Sequence, residues 1–153
     1  MRNGTTLAIE SIADKIETEF WPLLEKHRLE LATDLERMVL APRVDQYRAL
    51  EEAGVLFTIV ARDNGAPIGY SVNFLGQHLH YGGLRYAQND VLYLKPEYRT
   101  GQIGRMLIDA TECEAKSLGC SMIIWHAKQA TALEKILPRL GYGVQDIMFS
   151  KAL

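Results

Sequence analysis

From Ile12 to Leu31 the apolar positions recur at near-helical spacing. Ile12, Ile16, Phe20, Leu23, Leu24 and Leu31 share one helical face, and Ser11-Ile12-Ala13-Asp14 has the Ser-x-x-Asp form of a helix start. Pro22 predicts a kink or break in that stretch. A second helical stretch opens at Pro42, carries Val44, Tyr47 and Leu50, and ends at Gly54. Ahead of both, Thr6 to Ile9 reads as a short first strand.

The rhythm changes at Val55. Residues 55–61 are an unbroken apolar run, the pattern of a strand buried on both faces. Arg62-Asp63-Asn64-Gly65 has turn chemistry, so the next run returns as a hairpin. There Ile68, Tyr70, Val72 and Phe74 alternate with Gly69, Ser71 and Asn73, the period of a strand. A loop containing Tyr86-Ala87-Gln88-Asn89 leads to a third strand of this group, Asp90 to Leu94, which Pro96 stops. From about Ile103 to Leu118 the helical period returns. Ile103, Met106, Leu107, Ala110, Cys113 and Leu118 form the apolar stripe, and Gly119 the cap. Ser121 to His126 is the next buried strand. Thr131-Ala132-Leu133-Glu134 opens a short helix that Gly141 closes, and Tyr142, Val144, Ile147 and Phe149 predict one or two final strands. The order is β-α-α-β-β-β-α-β-α-β, a mixed α/β fold. The strand–helix–strand crossover between residues 90 and 126 places a parallel pair inside a mixed sheet.

The chain has 153 residues, 48% of them hydrophobic and 24% charged, and a formal net charge of −2. Such a chain buries enough surface to fold without disulfide or metal, and it reads as a single domain over residues 1–153. The charge balance excludes a globally basic nucleic-acid binder. No apolar run is long enough to span a bilayer, and Met1-Arg2-Asn3-Gly4-Thr5-Thr6 leads into no signal-peptide core. Cys113 and Cys120 have neither metal-ligand nor redox spacing. The expectation is packing for Cys113 and a reducing, cytoplasmic compartment.

Chemistry concentrates in Leu92-Tyr93-Leu94-Lys95-Pro96-Glu97-Tyr98-Arg99-Thr100-Gly101-Gln102-Ile103-Gly104-Arg105. It runs strand, tight turn, helix N-terminus. Unpaired amides and the positive dipole end there suit a phosphate or pyrophosphate. Gly101 and Gly104 leave the backbone bare, and Lys95, Arg99 and Arg105 form a basic collar. An ordinary β-to-α turn that needs glycine for its geometry fits the same residues. No P-loop or dinucleotide fingerprint is present.

The string Leu-x-Leu-x-Pro-x-Tyr-Arg-x-x-x-Ile-Gly-Arg-x-Leu resembles motif A of the GNAT superfamily of N-acetyltransferases, whose pattern is Arg/Gln-x-x-Gly-x-Gly/Ala. The family's element order, with its splayed central sheet, matches over essentially the whole chain. Leu140-Gly141-Tyr142 is similar to the Leu-Gly-Phe that commonly closes its last helix. The chain also looks like the small acetyltransferases of phage and prophage genomes. The resemblance implies acetyl-CoA as cosubstrate, with its pyrophosphate on the amides of Thr100, Gly101, Gln102, Ile103, Gly104 and Arg105, beside Arg99. It implies a pantetheine arm paired with Leu92 and Leu94, and the Leu94 N–H as oxyanion donor. Lys128, Lys135 and Arg139 are candidates for the 3′-phosphate, or simply solvated helix charges.

Two positions depart from the family pattern. Gln102 stands at the first motif glycine, with Gly101 one position earlier. Leu137, followed by Pro138, stands where the family often has the tyrosine that protonates the leaving thiolate. Asp90, beside the expected acetyl position, is a candidate general base or a strand-edge cap. His126 is a candidate acid or base, and Tyr93 a third candidate, each with core packing as its alternative. His78 and His80 share a strand face but lack a third ligand, so no metal is expected. With Tyr81 they are candidates to line the acceptor side, while Trp21 and Trp125 read as core. The sequence points to transfer of an acetyl group from acetyl-CoA to a primary amine by direct attack on the thioester. The alternative is a non-catalytic module of the same fold that binds CoA or a protein partner. Acceptor identity and a homodimer are left open.

Overall fold

The structure is a computed structural model and describes residues 4–153. The expectation for Met1-Arg2-Asn3, that they lead into no signal core, lies outside the described residues. A single mixed sheet runs β1-β2-β3-β4-β5 in chain order. Its strands are β1 Thr5–Ile9, β2 Leu56–Asp63, β3 Ala66–Gln77, β4 Arg85–Leu94 and β5 Met122–Ile124. The first four pair antiparallel, and β5 joins β4 in parallel. Helices α1 Trp21–Leu31 and α2 Val44–Glu52 cover one face, and α3 Ile103–Ser117 the other. α4 Ala132–Arg139 follows β5.

β2 is the strand the apolar run predicted. Leu56 through Ala61 are all buried, because one face packs under α1 and α2 and the other under α3. Asn64 and Gly65 both have positive φ, the signature of a two-residue hairpin turn whose twist suits the strands it joins. Beneath α1 and α2 the core is Ile12, Ile16, Phe20, Leu23, Val60, Tyr70, Val72 and Tyr93. Beneath α3 it is Phe57, Ile59, Ile68, Ala87, Leu94 and Leu107.

Several sequence expectations are corrected. Of the kink or break expected at Pro22, the structure has the break: a 3-10 turn at Ala13–Lys15 is followed by a separate α1, in which Pro22 occupies the first turn. Proline there starts a helix because its missing N–H is one the helix does not use. Ser11 caps nothing; its hydroxyl donates to Glu51 on α2. Residues 86–89 are strand rather than loop, since Tyr86, Ala87, Gln88 and Asn89 pair with β3. Cys113 is exposed instead of packed. Among the described residues no strand follows α4, and Val144 and Phe149 are 84% and 89% exposed. Alternation specifies which side chains share a face; a strand also needs a partner edge, and periodicity does not supply one.

Candidate active site

The sheet opens where β4 and β5 part. Their ladder runs only from Tyr86↔Met122 to Gln88↔Ile124, whereas β4 continues to Leu94. From Asp90 onward the β5-facing edge of β4 therefore has no strand beside it. Antiparallel geometry then decides which backbone groups line that edge. Lys95 N–H donates to the Ile68 carbonyl at 2.9 Å, so the pair Gly69↔Leu94 lies between hydrogen-bonded pairs. The N–H and C=O of Leu94, and by the same alternation of Leu92, point away from β3 into the gap. The Leu94 carbonyl accepts a hydrogen bond from Arg99 Nε at 2.7 Å.

A bulge shapes the other end of this edge. Val72 faces Val91 and Asn73 faces Asn89, leaving Asp90 as the extra residue in β4. Asn89 is fully buried beneath it, with Nδ2 3.2 Å from the carbonyls of both Val72 and Val91 and 3.0 Å from Asn73 Oδ1. One amide thus bridges the register shift. Ser71 and Thr111 of α3 complete the buried polar group, their hydroxyls 3.0 Å apart. The polar run Gly69, Ser71, Asn73 on a strand face that must be buried was the available sequence signal for it. Buried polar groups persist only where they satisfy one another.

Asp90 keeps an exposed side, yet the protein crowding it holds its carboxyl above the usual range, with the nearby His126 acting in the opposite sense. Tyr47 of α2 feels the same carboxylate. Burial and then the Asp90 charge raise its phenol. The Asp90 charge is thus felt from the segment after β5, at His126, and from α2, at Tyr47. Tyr93 lies elsewhere on that face, stacked on His27 of α1 at 5.0 Å and covered by the Arg99 guanidinium at 5.6 Å. Burial is also the main cause of its raised phenol pKa. His27 Nδ1 and the Tyr70 hydroxyl share a hydrogen bond of 2.7 Å, and burial drives the His27 pKa down to about 4.

At the N-terminus of α3, Gly101 has φ +142°, which favours glycine. Gln102 is the N-cap, with no side-chain cap and no acidic residue in the first turn. The first helical bond runs from Met106 N–H to the Gln102 carbonyl, so the amides of Ile103, Gly104 and Arg105 precede it. A Cβ at Gly104 would meet only Leu94 Cδ2, at 3.8 Å. Packing does not demand glycine there; a ligand lying on the backbone would.

The basic collar is largely neutralised within the protein. Arg99 makes a two-pronged pair with Glu30 of α1, both contacts 2.7 Å, and Arg105 pairs with Asp109 at 2.6 Å. Lys128 donates to the Leu31 carbonyl at the end of α1, while Lys135 and Arg139 are exposed on α4. Leu137 is buried in α4, which continues through Pro138 to Arg139. His78 Nδ1 accepts from the amides of His80 and Tyr81, so it orders its own loop, and no metal-ligating group of side chains occurs among the described residues. Trp21 and Trp125 are half-buried. Glu30, His27, Asn89 and Tyr47 had no assigned role in the sequence reading, because each acts through a partner from a distant segment.

A family model described as the acetyltransferase (GNAT) family matches residues 13–142. No curated protein matches the sequence. Among solved structures, a GCN5-related N-acetyltransferase from Ralstonia eutropha JMP134 is similar at TM-score 0.78 and 19% identity, covering 97% of this chain and 99% of that one. A ribosomal-protein-alanine N-acetyltransferase from Brucella melitensis biovar Abortus 2308 gives 0.72 and 19%, over 98% and 99% of the two chains. An aminoglycoside N-acetyltransferase in complex with CoA gives 0.68 and 14%, over 97% and 99%.

Proposed function

Since the chain belongs to the acetyltransferase (GNAT) family, we propose that it transfers an acetyl group from acetyl-CoA to a primary amine by direct attack on the thioester. The observation that carries this is the continuity of the open β4 edge with the bare amides that begin α3. Together they offer a track of backbone donors and acceptors ending at a positive helix terminus, which suits an amide-containing arm joined to a pyrophosphate. Leu92 and Leu94 would pair with the arm. The amides of Thr100, Gly101, Gln102, Ile103, Gly104 and Arg105 would hold the pyrophosphate. Arg99 would serve from its place between Glu30 and the Leu94 carbonyl, orienting the turn.

Acetyl-CoA, when bound, supplies the activated acetyl group. Asp90 takes the proton of the acceptor ammonium, directly or through His126. Its raised pKa brings it closer to the working pH, which makes it a better base than an ordinary carboxylate. The amine nitrogen bonds to the carbonyl carbon and gives up its second proton to water, the carbon–sulfur bond breaks, and CoA leaves as the thiolate. The Leu94 N–H is directed into the gap, where negative charge develops on the carbonyl oxygen. Leu137 has no proton to donate, so any protonation of the thiolate falls to solvent or His126. Tyr93, held between His27 and Arg99, keeps α1 against β4. Of the structural neighbours, one is named for N-acetylation of a ribosomal-protein alanine and another for N-acetylation of an aminoglycoside, and transfer to nitrogen is the chemistry proposed here.

Gly104→Asp tests the reading. The new side chain has room, and an acidic residue in the first turn of a helix is stabilising, so the fold is retained. Its carboxylate opposes a pyrophosphate. Calorimetry should show CoA binding to the parent protein and a loss of at least about tenfold, or about 1.4 kcal/mol, in the variant. Unchanged affinity would refute the placement, and a parent protein that binds no CoA would refute the function.

A further inference from the structure

A cavity of about 360 Å³ lies over one face of β4 and β5. Its floor includes Tyr86, Gln88 and Ile124, and its walls include His78, Tyr81 and Asp146. Alternation along β4 puts Tyr86 and Gln88 opposite Ala87 and Asn89, which face α3. Asp90 follows Gln88 by two residues at the β4 bulge, and His126 follows Ile124 by two residues beyond the end of β5. The cavity therefore adjoins the proposed acetyl position along β4 and β5. Gly76 opposes Tyr86 across the sheet, and a Cβ there would come within 2.5 Å of the ring. Glycine is what lets that ring lie flat along the floor.

The charge of the lining is one-sided. Asp146 is the charged residue among the lining side chains, and no lysine or arginine is present. His78 accepts two amide hydrogen bonds at Nδ1, so that nitrogen is taken up by its own loop. The nearest cations are turned elsewhere. Alternation sends Arg85 to the α3 face, Lys128 is engaged by the Leu31 carbonyl, and Arg99 is paired with Glu30. A phosphate or carboxylate on the acceptor would find no cation in this lining, only the neutral donors of Tyr81, Tyr86, Gln88 and Gln145 beside the Asp146 carboxylate. A second ammonium group would find the Asp146 carboxylate and the ring faces of Tyr81 and Tyr86.

We infer that this cavity is the acceptor site and that it selects a small primary amine bearing a second positive charge. The second charge is held at Asp146 and the tyrosines while the reacting nitrogen reaches Asp90. The inference rests on the transferase reading above for the site's purpose, but its binding chemistry can be measured separately.

Three probes of equal chain length isolate the second group: 1,4-diaminobutane, n-butylamine and 4-aminobutanoate. Calorimetry in the absence of acetyl-CoA should show binding that weakens in that order. Asp146→Asn should cost 1,4-diaminobutane about tenfold, equivalent to about 1.4 kcal/mol, and leave n-butylamine unchanged. Tyr81→Ala should weaken the diamine further, and Asp146→Lys should shift the preference toward 4-aminobutanoate. Equal binding of the three probes, or diamine binding indifferent to both Asp146→Asn and Tyr81→Ala, would overturn the inference. Release of CoA from acetyl-CoA is then measured with the same probes. Selective diamine binding without CoA release for any probe would count against the transferase reading while upholding the cavity's selectivity.

Discussion

His27 gives the fold a measurable acid weakness. It projects from α1 into the sheet, stacks on Tyr93, and shares a hydrogen bond between Nδ1 and the Tyr70 hydroxyl, in surroundings that disfavour a charged ring. Burial is the main reason its pKa falls from 6.5 to about 4. Glu30 opposes the fall, and the charges of Lys128 and Arg99 add to it. The unfolded imidazole takes its proton near pH 6.5 and the folded one near 4. Between those values the unfolded state binds more protons, so stability rises with pH. The contribution is complete above about pH 6.5 and is lost as pH falls to about 4. At about 1.4 kcal/mol per pH unit it amounts to about 3 kcal/mol. His27→Gln keeps a hydrogen-bonding partner of either sense for the Tyr70 hydroxyl and removes the titration. Urea unfolding from pH 4 to 7.5 should show the variant losing about 3 kcal/mol less than the parent over that window. The carboxylates lowered by ion pairing, Glu10 and Glu19 with Arg62, lose their stabilising effect at lower pH and do so in both proteins. Parallel pH profiles for parent and variant would refute the assignment, as would an NMR titration of His27 near 6.5.

Two further outcomes test the packing that shapes the site. Asn89→Ala removes the amide that bridges the β4 bulge and leaves at least one buried acceptor without its donor. Unfolding free energy should fall by about 1–3 kcal/mol, with turnover reduced as Asp90 loses its support. Gly69→Ala sets a Cβ 2.6 Å from the Tyr93 carbonyl, a backbone contact that cannot rotate away. It should cost about 1–3 kcal/mol in the same assay, whereas Gly104→Ala, with open space, should cost less than that.

Much of the site was legible in the chain itself because its parts are local. The strand–turn–helix from Leu92 to Arg105 is contiguous, and Gly101 and Gly104 mark where the backbone turns and where it stays bare. The buried strand at residues 55–61, the hairpin at Asn64-Gly65 and the amphipathic α3 follow from side-chain period and turn chemistry, which need only near neighbours. Helix ends at Gly54, Gly119 and Gly141 were equally local, each with positive φ.

What depended on distant segments could be seen only in three dimensions. The basic collar around Arg99 was visible as charge, but its pairing with Glu30, 69 residues away, is a tertiary event that turns a free cation into a neutral clamp. The same holds for Asn89, whose place in a supposed loop became a buried bridge once β3 supplied the carbonyl of Val72. The final strand is the converse case: Val144, Ile147 and Phe149 have the alternation, yet no edge receives them among the described residues. The sequence by itself determined the elements, the bare helix terminus and the family pattern, because period and turn chemistry are properties of neighbouring residues. The tertiary structure alone decided which charges remain free, which polar groups are buried together and where the sheet opens, because those depend on partners that only folding brings within reach.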